Sequence, residues 1–295
     1  MRRLHCNYTG MLALVGATLV ADCTALEFKA ANLPTHFSQV LRLTNLSYGS
    51  DPRQRLDVYM PTESGPHPVV IFWYGGSWTS GRKADYRFVG SALADRGIVA
   101  VLPDYRLYPQ VRFPAFVEDG AQAVRWVEVH AQEFGGDARR VVLMGHSAGA
   151  FIAALLAYEP RYLADAGVDR GAIRAVIGLS GPYALVPDDD SLSTIFSRPF
   201  TPRDWQPVQH VDRLAPPTLL LDGLDDRRVN PIQTRNLHDA LLAHSVPVEM
   251  ELYAGVSHTD TIAGFAKWGR HRSPSLERVA RYIGTLTAPP RPPAN

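Results

Sequence analysis

Five short, continuously apolar runs are the feature of this sequence that most limits its fold. The runs are residues 69–73, 98–102, 141–144, 175–179 and 218–221. Strands that are apolar on both faces are typical of a parallel sheet covered by helices on each side. Because helical patterns lie between the runs, the sequence predicts a single α/β domain with a mostly parallel, doubly wound sheet.

Segments with regular spacing lie between these runs and after them. Apolar residues recur at helical intervals in 117–134, where a pair of glycines then stops the pattern. Residues 148–158 are almost all apolar, which predicts a buried helix, and 276–283 carry a stripe that predicts a final amphipathic helix. Apolar and polar residues alternate in 248–253, which predicts a half-exposed strand at one edge of the sheet.

The composition changes at both ends of the chain and once inside it. We expect residues 26–287 to form the α/β domain, with 183–211, which lack clear periodicity, as a lid insertion over the sheet edge. Residues 288–295 are rich in proline, which predicts a flexible tail. Residues 1–25 have the composition of a signal peptide or an apolar N-terminal arm.

The N-terminal segment predicts export from the cytoplasm. Arg2 and Arg3 precede an apolar run, 11–21, which suits a signal peptide and is too short to span a bilayer as a helix. We therefore expect a periplasmic or secreted protein without a stable membrane span. A cytoplasmic protein is one alternative. Lipid attachment at Cys23 is another, although Asp22 stands where lipoprotein signals have a small residue.

Cysteine content and charge exclude several chemistries. Cys6 and Cys23 are the only cysteines, so the rest of the chain has no thiol for a nucleophile, a disulfide or a metal site. No segment has the spacing of a metal site such as H-E-x-x-H, and we predict neither a metal nor a cofactor. The formal net charge of +1 gives no reason to expect binding to nucleic acid or to an anionic membrane. The composition makes no prediction of oligomeric state.

The sequence Gly145-His146-Ser147-Ala148-Gly149 carries the strongest chemical signal. It follows an apolar run and opens the small-residue helix, so the serine lies on a sharp turn between strand and helix. Glycine two positions to either side permits that crowded turn, and the helix N-terminus favours an oxyanion close to the hydroxyl. We therefore predict that Ser147 is a nucleophile. A structural serine in a glycine-rich turn is the alternative.

A serine nucleophile needs a base, and the base needs an acid that orients it. The histidines after Ser147 are His210, His238, His244, His258 and His271. His258 follows the alternating strand in a predicted loop, at the end of the sheet where sites of open α/β folds lie. We predict that His258 is the base, because its position suits the chain order of serine, acid and histidine.

The acid is expected at the end of the run 218–221, where Asp222, Asp225 and Asp226 are candidates. This segment resembles the L-L-x-H-G-x-x-D-x-x-V motif of the α/β-hydrolase superfamily. The resemblance implies that Asp226 is the acid and leaves Asp225 as the alternative. Asp222 stands in the histidine position of the motif, and we expect it to be a turn residue that affects packing only.

Residues 74–78, Y-G-G-S-W, are similar to the H-G-G-x-W loop of kynurenine-formamidase-like and hormone-sensitive-lipase-like hydrolases, with Tyr74 in the histidine position. The resemblance implies an oxyanion hole made by the backbone amides of Gly76, Ser77 and Ala148. A plain glycine turn is the alternative reading of this segment.

Residues 104–107 and 113–115, D-Y-R-L and F-P-A, resemble a further stretch of the same families, and we expect them to contribute an ion pair that supports the loop. Together these motifs imply a carboxylesterase that cleaves small or medium ester substrates through an acyl-enzyme. Hydrolysis of a formamide, as in kynurenine formamidases, or of acetyl or feruloyl esters of carbohydrates is the alternative within hydrolases. A non-catalytic binding module on the same scaffold is the alternative outside them, and a peptidase is disfavoured.

Overall fold

The computed structural model of the chain describes residues 28–33, 35 and 40–287. Its centre is an eight-stranded sheet with the strand order β1-β2-β4-β3-β5-β6-β7-β8. The strands are β1 (Leu41–Ser47), β2 (Arg55–Met60), β3 (His67–Trp73), β4 (Val99–Pro103), β5 (Gly136–His146), β6 (Ile173–Leu179), β7 (Thr218–Gly223) and β8 (Val248–Tyr253). Strands β3 to β8 are mutually parallel, whereas β2 runs antiparallel to both of its neighbours.

Helices connect the strands and cover the sheet. They are α1 (Arg87–Ala94), α2 (Ala115–His130), α3 (Ala148–Tyr158), α4 (Pro160–Asp165), α5 (Asp190–Ile195), α6 (Pro202–Trp205), α7 (Ile232–Ala243), α8 (His258–Ala263) and α9 (Ser275–Thr287). Short 3-10 turns lie at Lys83–Tyr86, Ala131–Phe134, Arg170–Ala172 and Pro207–His210. The predicted α/β class with a mostly parallel, doubly wound sheet is confirmed.

The five apolar runs became the five inner parallel strands β3 to β7, and the alternating segment became the edge strand β8. Strands β1 and β2 had no apolar run to reveal them. The side chains of β1 are largely exposed. The apolar pattern of β2 is interrupted by Asp57, whose buried carboxylate lies 2.8 Å from Lys83 Nζ. The hydrophobicity pattern therefore does not predict β2, because one member of a buried ion pair interrupts its apolar residues.

Helix α3 positions the residue that precedes it because the whole helix is held in the core. Every residue of α3 is buried, as its composition predicts, and the helix packs on β5, β6 and β3. Helix α9 buries Leu276, Val279 and Ile283 against the sheet, which confirms the predicted amphipathic stripe. Within the residues that the structure describes, no helix is long and apolar enough to cross a membrane.

The segment 183–211 contains helices α5 and α6 and lies between β6 and β7 in the chain. Phe196 and Trp205 are buried, and Trp205 Nε1 donates a hydrogen bond to the carbonyl of Leu185 at 3.2 Å. The aromatic rings of Phe196 and Trp78 are 4.8 Å apart, so the segment packs beside the loop that follows β3. Its behaviour as a lid stays a prediction. The predicted signal peptide and the proline-rich tail lie outside the described residues.

Candidate active site

The predicted site residues meet at one edge of the sheet. Ser147 directly follows β5, whereas Gly76 and Ser77 follow β3. Asp226 lies just beyond β7, and His258 lies just beyond β8. These four strands are parallel, so their carboxyl ends open onto the same edge, where open α/β sheets bind ligands.

Ser147 occupies a strained turn between β5 and α3. Its backbone angles are φ 55° and ψ −123°. Residues other than glycine rarely adopt this conformation, which costs about 1–3 kcal/mol. The turn is possible because its flanking glycines have no side chain. A Cβ on Gly145 would lie 2.2 Å from the carbonyl carbon of Gly149, and a Cβ on Gly149 would lie 1.9 Å from the carbonyl oxygen of Trp73. Strain held in this way is typical of functional sites.

The loop after β3 lies against Ser147. A Cβ on Gly75 would lie 2.9 Å from the Cβ of Ser147, so only glycine permits this approach. Among the described residues, no acceptor is hydrogen-bonded to the backbone amides of Gly76, Ser77 or Ala148. Ala148 is buried, where backbone amides are almost always paired, whereas Gly76 is half-buried and Ser77 is exposed, so these amides are open to an external acceptor.

His258 and Asp226 are in direct contact. The Nδ1 atom of His258 lies 2.7 Å from Oδ2 of Asp226, and both side chains are buried. The other carboxylate oxygen, Oδ1, accepts the backbone N–H groups of Arg228 and Val229, each at 2.8 Å. Burial alone would raise the pKa of Asp226, but the hydrogen bond and charge of His258 and the two amides hold it below its usual value. The carboxylate is therefore ionised and fixed in position.

The alternative candidates lie elsewhere. Asp225 is exposed, and its backbone N–H donates to the carbonyl of Val256 at 3.1 Å. His210 lies 2.9 Å from Glu159, outside the site, and His271 is exposed. His258 differs from its prediction in one respect, because it is the first residue of the short helix α8 and not part of a loop.

His146 is a buried neighbour of His258 that the sequence did not reveal. Its Nε2 lies 3.0 Å from the carbonyl oxygen of His258, and the two imidazole rings are 4.8 Å apart. Because a carbonyl only accepts, Nε2 must carry the proton of a neutral ring. Burial, followed by the influence of His258, lowers the pKa of His146 to about 3. The G-x-S-x-G pattern leaves this position unspecified, so only the fold shows what it contacts.

The buried neutral state of His146 predicts a pH-dependent stability. Its folded pKa is about 3, whereas an unfolded histidine titrates near about 6.5. Between these values the unfolded chain binds more protons, so the free energy of unfolding falls as the pH decreases. Replacing His146 with glutamine removes the titration but keeps an N–H donor. From pH 6.5 to pH 5, wild type is expected to lose about 2 kcal/mol more than His146→Gln in urea unfolding. Equal losses in the two proteins would contradict this assignment.

Tyr74 connects the loop after β3 to the rest of the fold. Its hydroxyl donates to Oδ1 of Asp104 at 2.8 Å and accepts from the guanidinium of Arg53 at 2.8 Å. Its ring stacks on Tyr105 with centroids 4.8 Å apart, and the hydroxyl of Tyr105 donates to the carbonyl of Tyr74 at 3.0 Å. Tyrosine thus fills the histidine position of the motif with hydrogen bonds of its own.

The expected ion pair of the D-Y-R-L stretch is divided between two partners. Asp104 lies 3.9 Å from Arg53, and Arg106 lies 2.6 Å from the fully buried Asp119 of helix α2. The Arg106 guanidinium binds Asp119 through both Nε and NH2. The first pair supports Tyr74, and the second fixes the chain after β4 on α2, so the role of both is structural.

The prediction that Asp222 is a turn residue was wrong. Strand β7 continues two residues past the apolar run, and Asp222 pairs with Leu252 of β8 in the sheet. The side chain is fully buried, and its Oδ1 lies within hydrogen-bond distance of Ser180 Oγ at 2.8 Å while its Oδ2 lies 2.6 Å from Thr234 Oγ1. These hydroxyls let the strand include a carboxyl group, which the apolar pattern could not reveal.

The chain matches a described family over most of this site. The family model BD-FAE covers residues 56–241. A probable isoprenylcysteine alpha-carbonyl methylesterase of Arabidopsis thaliana is 33% identical over 290 residues, 88% of this chain and 68% of that protein. The esterase LipC of Mycobacterium tuberculosis is 36% identical over 222 residues, 67% of this chain and 54% of that protein. The chain thus spans between about half and two thirds of the length of these relatives.

Solved structures of esterases share the fold. Esterase B from Lactobacillus rhamnosis aligns with a TM-score of 0.74 and 22% identity, over 93% of this chain and 97% of that one. Esterase 2 of Thermogutta terrifontis, phosphorylated by paraoxon, aligns with a TM-score of 0.69 and 24% identity, over 84% and 96%. These structural similarities, at 22% and 24% identity, show the fold. The family assignment comes from the match of residues 56–241 to the family model. The chain belongs to the BD-FAE family of the α/β-hydrolase superfamily and is a carboxylic ester hydrolase.

Proposed function

We propose that Ser147 is the nucleophile of this hydrolase, that His258 is its general base and that Asp226 orients the base. The observation that carries the proposal is the 2.7 Å contact between His258 and Asp226 at the edge where the strained serine lies. With Nδ1–H donating to Asp226, the Nε2 atom of the neutral imidazole is left to accept the serine proton. A serine hydroxyl is a weak nucleophile without such a base.

The amides of Gly76, Ser77 and Ala148 form the oxyanion hole in this proposal. Their lack of acceptors among the described residues supports it, as does the position of Ala148 at the N-terminus of α3. The developing negative charge on the substrate oxygen would pair with these N–H groups. Each such donor is worth about 10²–10³ in kcat in other enzymes.

The reaction then proceeds in two halves. Ser147 Oγ attacks the ester carbonyl while His258 takes its proton, and the amides hold the tetrahedral oxyanion. The intermediate collapses, the C–O bond of the ester breaks, and the alcohol leaves with the proton from His258. Water, deprotonated by His258, attacks the acyl-enzyme and releases the carboxylic acid and free Ser147.

Gly76→Ala tests the oxyanion loop. Gly76 has φ +130°, and a Cβ there would lie 2.2 Å from the carbonyl oxygen of Ser80, a backbone atom that cannot turn away. The loop must shift, so we expect kcat/KM for ester hydrolysis to fall by about 10²-fold. Gly97→Ala is the control, because Gly97 also has a positive φ, +74°, with no atom within 4 Å. Equal activity in the two variants would exclude a role for the loop geometry.

The substrate proposed is an ester with a small or medium acyl group. Three buried rings support this size: Trp78 next to Ser77, Phe151 one turn after Ser147, and Phe196 from the segment 183–211. Phe196 lies 4.8 Å from Trp78 and 5.5 Å from Phe151, so a long acyl chain on this side would have to displace the cluster. The methylesterase named among the relatives supports a small alcohol as well.

A hydrolysis screen tests the substrate class. We expect kcat/KM to be highest for p-nitrophenyl acetate or butyrate. The values for p-nitrophenyl palmitate and for N-formylkynurenine should each be lower by about 10-fold or more. Phe196→Ala should raise the octanoate-to-acetate ratio, whereas Phe134→Ala, which is also buried but lies outside the cluster, should not. Faster turnover of N-formylkynurenine than of every ester would favour amide hydrolysis instead. An unchanged ratio in Phe196→Ala would remove the cluster from acyl selection.

A further inference from the structure

The backbone carbonyl of His258 is held by two buried donors. His146 Nε2 donates to the carbonyl oxygen of His258 at 3.0 Å, and Thr261 Oγ1 donates to the same oxygen at 2.8 Å. This carbonyl belongs to the residue that carries the base, at the first position of α8. Fixing it therefore fixes the point from which the imidazole projects.

The second of these donors is the end of a chain of buried polar groups. Thr261 Oγ1 lies 3.2 Å from Ser180 Oγ, and Ser180 Oγ lies 2.8 Å from Oδ1 of Asp222. All three side chains are completely buried. The chain runs from strand β7 through the residue after β6 to α8, so it links three elements at the site edge.

A count of protons along these contacts favours a protonated Asp222. Its three contacts, Asp222 to Ser180, Ser180 to Thr261 and Thr261 to the His258 carbonyl, each need one proton. The two hydroxyls supply two, and a carboxylate supplies none. A proton on Oδ1 of Asp222 supplies the third, and every contact then has a donor and an acceptor.

The remaining surroundings of Asp222 agree with a neutral acid. Hydrogen bonds from Thr234 to Oδ2 and from the Gly223 amide to Oδ1 favour the ionised form, but no cation among the described residues forms an ion pair with Asp222. Burial raises the pKa of Asp222 despite these hydrogen bonds, and the negative charge of Asp226 acts in the same direction. The other titratable neighbour is Tyr183, a buried phenol that stays neutral because burial raises its pKa well above 10.

We propose that Asp222 is a neutral carboxylic acid and a positioning residue for the base, holding the carbonyl of His258 through Ser180 and Thr261. Asp222 does not touch the substrate; it acts through the placement of His258. The inference rests on the base role proposed above for His258. Its charge state, however, is measurable without any substrate.

Infrared difference spectroscopy tests the charge state. At pH 7, the spectrum of wild type minus that of Asp222→Asn should contain the carbonyl stretch of a protonated carboxyl group, a band above the amide I region. The same band should appear when the spectrum of Asp222→Asn is subtracted from that of Ser147→Ala, because Ser147→Ala retains Asp222. Its absence from the wild-type difference spectrum would show that Asp222 is ionised and would overturn the proposal.

Kinetics test the positioning. Asp222→Ala is expected to lower kcat by about 10- to 100-fold with little change in KM, because the base is displaced by a fraction of an ångström. Asp222→Asn retains a donor toward Ser180 and an acceptor toward Thr234 but loses the acceptor of the Gly223 amide, so its kcat should lie between those of Asp222→Ala and wild type. Thr261→Val removes the hydroxyl that donates to the His258 carbonyl while keeping a branched side chain, and it should resemble Asp222→Ala.

Each outcome decides one part of the proposal. Wild-type kcat in both Asp222→Ala and Thr261→Val would contradict positioning. If Asp222→Ala does not fold, Thr261→Val and Asp222→Asn still compare an interrupted series of hydrogen bonds with one that is largely retained. If wild type itself hydrolyses no ester, the proposed function fails, whereas the infrared band continues to report the neutral acid.

Discussion

Ser147→Ala is expected to lower kcat for ester hydrolysis by at least about 10³-fold while leaving the protein folded. The change removes one oxygen and no packed carbon beyond it, and the backbone strain at φ 55° is the same for alanine as for serine. The thermal midpoint should therefore stay close to that of wild type. Activity on p-nitrophenyl acetate, measured on protein purified apart from wild type, checks the expected loss.

Ser91→Ala is the matched control for this change. Ser91 lies in helix α1 with the same 8% exposure as Ser147, and the two serines lie in different elements. Full activity is expected in that variant. Near-normal turnover by Ser147→Ala would remove Ser147 from the role of nucleophile, and an equal loss in both variants would point to damage of the fold.

Asp226→Asn is expected to lower kcat by about 10³- to 10⁴-fold. The amide would keep an oxygen toward the N–H groups of Arg228 and Val229, which hold Oδ1 at 2.8 Å. Its NH₂ group would then face Nδ1 of His258, so the imidazole would be driven to place its proton on Nε2. That tautomer cannot accept a proton from Ser147, and the neutral amide does not stabilise the imidazolium.

Asp225→Asn is the control for the neighbouring carboxylate. Asp225 is exposed, and its contact with the fold is made by its backbone N–H, which the substitution keeps. Its kcat should remain within about twofold of wild type. A large loss in Asp225→Asn, with activity retained in Asp226→Asn, would place the acid one residue earlier than we propose.

The inner sheet could be predicted because its strands are apolar on both faces, a pattern with few other structural solutions. The same criterion missed β2, whose apolar run is broken by Asp57, and ended β7 before Asp222. Both errors have one physical cause. A carboxyl group enters a buried strand when another element supplies its partner, as Lys83 does for Asp57 and Ser180 does for Asp222.

A site residue could be predicted from the sequence to the extent that local geometry determines its position. Ser147 depends on a turn that its own glycines make possible, so a short pattern contains the information. The contact of His146 with the His258 carbonyl joins residues 112 positions apart, and no local pattern records it. The choice between Asp225 and Asp226 came from resemblance, because adjacent carboxylates differ only in the direction that the folded turn gives them.

Labelling with a fluorophosphonate, followed by intact mass measurement and peptide mapping, tests the catalytic assignment most directly. An activated serine attacks phosphorus, displaces fluoride and keeps the phosphonyl group, so the adduct identifies the nucleophile. We predict one adduct per chain, located on Ser147, absent from Ser147→Ala and formed far more slowly in Asp226→Asn. An esterase-active preparation that gains no adduct, or that carries it on another residue while Ser147 stays unmodified, would contradict the account.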